Sequence, residues 1–134
     1  MPVTYWIQHA DLSAEERGVI DADAALGALE EVDWASELRH LDSLETEQRE
    51  CCPPGIGFVA DDGRILHICP SGSDTALCHY HFRNPGGFLS RLFGTRQATV
   101  TAKHVPLSAA SGLISSFFAA RHDDIVAQLT EAAG

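Results

Sequence analysis

Positive charge is scarce in this chain. Nine Lys and Arg stand against nineteen Asp and Glu among 134 residues, for a formal net charge of −10. Binding to a phosphate backbone needs cationic density, so direct nucleic-acid binding is not expected. Long apolar runs are also missing. Nothing approaches the roughly 18 residues that a membrane-spanning helix requires. The opening stretch, Met1-Pro2-Val3-Thr4-Tyr5-Trp6, has neither a basic nor an apolar leader segment, so no secretory signal is expected and the location is read as cytoplasmic. There are no internal repeats and no low-complexity linker. The motifs G-x-S-x-G, G-x-x-x-x-G-K-[ST] and H-E-x-x-H do not occur, which removes the sequence signatures of a nucleophile elbow, a phosphate loop and a zinc protease. What remains is an apolar share of 45% and a length that suits one domain with one core.

The charge that is present is divided. Residues 11–62 hold fifteen acidic residues and three basic ones, Arg17, Arg39 and Arg49. Residues 63–121 hold one acidic residue, Asp74, and six basic ones. The acid therefore belongs to the first half, and such asymmetry bears on partners and association rates rather than on fold.

Hydrophobic period places the elements. Thr4-Tyr5-Trp6-Ile7 reads as a first strand. Ser13-Ala14-Glu15-Glu16 fits a helix-capping box that Gly18 soon stops. Ala22, Ala25, Leu26 and Leu29 predict a helix over 22–32, capped by Asp21 or Asp23. Trp34, Leu38, Leu41 and Leu44 predict another over 34–49, with Glu45 and Arg49 as an i,i+4 pair. After Pro53-Pro54-Gly55 the period changes to two. Strands over 56–60, 64–69 and 76–82 form a meander whose first turn is Asp61-Asp62-Gly63. Residues 84–94 form a loop with an apolar tip, and 97–105 a further strand. Ser108 caps a helix with Ala110, Leu113, Ile114, Phe117 and Phe118 on its stripe, and Asp123-Asp124 open a last one. The expected fold is α+β, an antiparallel four- to five-stranded sheet with helices packed on one face. It is a single domain: an acidic helical part over 11–50, the sheet over 55–105 and C-terminal helices over 107–132.

Four cysteines (Cys51, Cys52, Cys69, Cys78) lie near His67, His79 and His81. Two pairing registers are open. If Pro70 pairs with Thr75, His67 stands opposite Cys78. If His67 pairs with His79, then His67, Cys69, His79 and His81 share one face. Between them the two registers give zinc the candidates His67, Cys69, Cys78, His79 and His81, with Cys78 on the shared face only in the first, but the spacings are not those of known zinc sites. The alternative is core thiols and half-buried strand imidazoles, with no cofactor. A Cys-His nucleophile pair among these residues needs a lowered thiol pKa, which a mid-strand position does not provide.

A binding module is the reading that fits, rather than an enzyme. The chain resembles the immunity proteins that bacteria pair with secreted polymorphic toxins. The residues that carry the resemblance are Gly57-Phe58-Val59-Ala60-Asp61-Asp62-Gly63-Arg64-Ile65-Leu66, the strand around Cys78-His79-Tyr80-His81, and the strand and helix over 100–118. The resemblance implies a protein partner, a toxin or effector domain with a basic surface, blocked by occlusion of its cleft. The candidate contact residues, read from the charge pattern, are Glu30, Glu31, Asp33, Glu37, Asp42 and Glu45, with Phe88, Arg91 and Phe93 in the apolar loop. The rival is an accessory, chaperone-like or homodimeric regulatory protein that uses the apolar loop instead.

Overall fold

The computed structural model describes residues 2–72, 74–83 and 97–133. Six strands, β1 (Val3–Gln8), β2 (Ala14–Ile20), β3 (Gly55–Ala60), β4 (Ile65–Pro70), β5 (Thr75–Arg83) and β6 (Gln97–Pro106), form one sheet in the order β2-β1-β3-β4-β5-β6. Every neighbouring pair is antiparallel. Helices α1 (Ala22–Glu31) and α2 (Trp34–Thr46) connect β2 to β3, and α3 (Leu107–Phe118) and α4 (His122–Ala133) close the chain. The architecture is α+β, with six strands rather than the expected four or five.

The additional strand is β2. The expected capping box at Ser13 does not form, because Asp11 takes Ser13 first. The Asp11 carboxylate accepts from the Ser13 backbone N–H (3.0 Å) and from its hydroxyl (2.5 Å). That local turn, closed by His9 N–H donating to the Ser13 carbonyl at 2.8 Å, reverses the chain into a hairpin. The Asp61-Asp62-Gly63 turn is built the same way. Ala60 N–H reaches the Arg64 carbonyl at 2.9 Å and Gly63 N–H reaches Ala60 at 3.0 Å. Gly63 has φ 91° while Asp62 stays at negative φ, so the loop has three residues rather than the two-residue form that needs two positive φ values.

One sheet face carries the core. Val3, Ile7, Ile56, Phe58, Leu66, Ile68, Cys78, Tyr80, Ala102 and Val105 pack with Ala25 and Leu29 of α1, Leu113, Ile114 and Phe117 of α3, and Ile125 and Leu129 of α4. Helix α3 lies over β4 to β6, α4 over β6, and α1 against α3. Asp21 caps α1 by accepting from Ala24 N–H, whereas Pro106 precedes α3 without a side-chain cap, contrary to the expected role of Ser108. Arg64 is buried beneath this layer. Its Nε donates to Asp62 at 2.8 Å, its guanidinium lies 5.1 Å from the centre of the Phe117 ring, and its two terminal nitrogens have no hydrogen-bond partner among the described residues. Among the described residues no helix is long and apolar enough to cross a membrane.

Candidate binding site

The six acidic candidates separate into two groups. Asp33 is the N-cap of α2, its carboxylate accepting from Ser36 N–H at 3.1 Å. Glu37 is half-buried and holds His9. These two have internal work and are not free contact residues. Glu30, Glu31, Asp42 and Glu45 are exposed, and none pairs with a Lys or Arg among the described residues. The expected Glu45–Arg49 pair is absent, because Gln48 at φ 56° ends the helix and Arg49 turns to Glu47 at 3.7 Å. Helix α2 buries only Leu44 fully, with Trp34 donating its indole N–H to the Leu29 carbonyl at 2.7 Å. Phe88, Arg91 and Phe93 lie outside the described residues.

His9 was not visible as a functional residue in the sequence. It follows β1, and its ring is gripped from two elements: Nε2 lies 2.7 Å from Glu15 of β2 and Nδ1 2.7 Å from Glu37 of α2. Only the imidazolium can donate from both nitrogens. The hydrogen bond to Glu37 and then that to Glu15 hold the His9 pKa above its ordinary value. The ion-pair bridge is the main polar tie between α2 and the sheet. It spans 28 residues of chain, so no spacing rule could have found it.

The face of the sheet away from the helices shows a second feature. Glu16, Trp6, Gly57, His67, His79 and Thr101 stand side by side across all six strands. The Trp6 ring lies over Gly57, where any Cβ would collide with it. It leans on His67 at 5.4 Å between ring centres, and His67 stacks on His79 at 6.0 Å. His79 and His81 place their Nδ1 atoms 2.9 Å and 2.7 Å from the hydroxyls of Thr101 and Thr99.

This register decides the Cys/His question. His67 pairs with His79, so His67, Cys69, His79 and His81 share the face, while Cys78 turns to the core. Sharing a face does not gather them: among the described residues no group of three or more His, Cys, Asp or Glu is placed to hold a metal ion. Cys69 Sγ lies 3.5 Å from His67 Nε2. Burial, and next the Cys52 thiol, push the Cys69 thiol up to about 12. Burial, and next the His79 charge, pull His67 down to about 4. At neutral pH the pair is a thiol beside a neutral imidazole, the opposite of an activated nucleophile.

No family model matches the chain, and no curated protein or solved structure matches it either. Function therefore rests on geometry.

Two grooves flank β2. One, of about 430 Å³, opens on the Trp6 face and is lined by Thr4, Trp6, Glu16 and Val59. The other, of about 280 Å³, lies on the helix side, lined by Ile7, His9, Glu15, Arg17, Glu31 and Val32. A β-bulge between them makes the difference. The register shifts between Tyr5 and Trp6, Arg17 becomes the extra residue, and Gly18 supplies the φ of 82°. The shift sends Glu16 to the open face and Glu15 to the helix face, where it reaches His9.

Proposed function

We propose that the chain is a small cytoplasmic inhibitor of the immunity-protein kind, which covers the basic cleft of a toxin or effector domain. The observation that supports this is the exposed carboxylate set of Glu30, Glu31, Asp42 and Glu45, unanswered by any internal cation among the described residues. Carboxylates placed so would stand where a nucleic-acid substrate's phosphates lie, and their field would speed the encounter. The test starts by capturing a partner from the source cell and purifying it. Association with the purified partner is then timed at low and physiological salt. The triple variant Glu30→Lys, Asp42→Lys, Glu45→Lys should slow association about tenfold at low salt and flatten its salt dependence. An unchanged rate overturns the reading.

One observation favours a second reading, a homodimer through the open sheet face. Trp6, Val59, Ile65 and Leu77 are half-exposed there, and Val19 is 72% exposed. A salt-insensitive dimer in light scattering would support it; a monomer would exclude it.

A further inference from the structure

We infer that β2 is a strand-addition site for an extended, basic segment of the partner. The inference rests on the reading above and names where such a partner would attach. Strand β2 ends the sheet and pairs only with β1, and Ala14 to Val19 are all exposed. Its outer row of backbone N–H and C=O groups is therefore unpaired among the described residues. A peptide added there would gain main-chain hydrogen bonds, and its successive side chains would alternate between the two sheet faces.

Both faces have a groove beside β2, and each holds a carboxylate without an ion pair among the described residues. Glu16 stands with Trp6 and Val59 in one, and Glu31 stands with Ile7 and Val32 in the other, where Glu15 is already held by His9 and Arg17. This pairing of aliphatic or aromatic wall with carboxylate suits Arg and Lys, whose stems cover apolar surface while the head pairs with acid. An apolar segment would instead desolvate Glu16 and Glu31 without a counter-charge. Two cations stand in the neighbourhood, Arg17 at 3.6 Å and protonated His9 at 2.7 Å, and both are on Glu15, leaving Glu16 and Glu31 without an ion pair among the described residues. The edge thus suits a basic strand.

The probe is an acetylated, amidated nonapeptide, three repeats of Arg-Val-Lys, titrated into the 15N-labelled full chain at about 50 mM salt, where screening is weak. Its control is the same peptide N-methylated at every second residue, which keeps the charge and loses the donors. Strand addition predicts shifts in the β2 amides and the Trp6 indole, with the Trp34 indole unmoved. It also predicts that N-methylation weakens binding about tenfold and that Glu16→Gln weakens it about threefold. Equal binding of the two peptides, with shifts confined to α1 and α2, overturns the edge site and leaves the acidic-face function standing. Binding of neither peptide overturns the edge site and also removes its premise of a cation-seeking surface.

Discussion

His9 lies between two carboxylates at 2.7 Å, and His67 lies under the Trp6 ring with no carboxylate partner among the described residues. The two imidazoles therefore respond to pH in opposite senses. The folded pKa of His9 is raised, so its contribution is complete below the unfolded value of about 6.5 and is lost as pH climbs through the folded value. His67 falls to about 4 in the fold. The unfolded chain then binds the extra proton between about 6.5 and 4, and stability drops across that window by about 3 kcal/mol. Burial lowers His79 in the same direction, and Glu15 and Asp62, both lowered, add losses further into acid. Urea unfolding across pH should give a dome. His9→Gln should flatten the alkaline limb and His67→Gln the acid limb. An alkaline limb that survives His9→Gln would show that the two carboxylates do not hold the proton.

At the level of elements, legibility followed the range of the interaction. Helices α1, α2, α3 and α4 and the meander β3 to β5 follow from local period, capping and turn residues, and Asp21 caps α1 as one of its two expected candidates. Strand β2 did not, because Ser13 to Glu16 satisfies a helix-start pattern that the Asp11 turn overrides. The pairing of His67 with His79 needed the sheet itself, since the sequence allowed two registers one step apart. The same hairpin loop occurs twice, with Gly63 at φ 91° in one copy and Leu12 at φ 75° in the other. Helix α3 ends on Ala120 at φ 56°, with Arg121 N–H bonded to the Ser116 carbonyl at 2.9 Å, a left-handed terminus that favours glycine. Leu12 is 49% exposed, so little packing is lost with its side chain. Leu12→Gly and Ala120→Gly should each raise unfolding stability by about 0.5–1 kcal/mol in urea. A loss in both would mean that these backbones carry no strain.

For the whole molecule, the question is how a net charge of −10 is tolerated. The described cations of the second half do little to offset it. Arg64 is buried against Asp62, and Arg83, Lys103 and Arg121 are exposed without reaching the acid of α1 or α2. Like-charge repulsion in the first half is then relieved mainly by solvent ions, whose screening length shortens from about 30 Å at 0.01 M to about 8 Å at 0.15 M. Folding draws those carboxylates together, so salt should favour the folded state. The melting temperature should rise by about 3–5 °C between 10 and 300 mM sodium chloride, which corresponds to roughly 1 kcal/mol for a chain of this size. Neutralising Glu30→Gln, Asp42→Asn and Glu45→Gln together should raise the low-salt value and make the dependence shallower. A melting temperature that falls with salt would mean that attractive pairs dominate the surface. The exposed carboxylates would then be engaged within the fold rather than available to steer a basic partner.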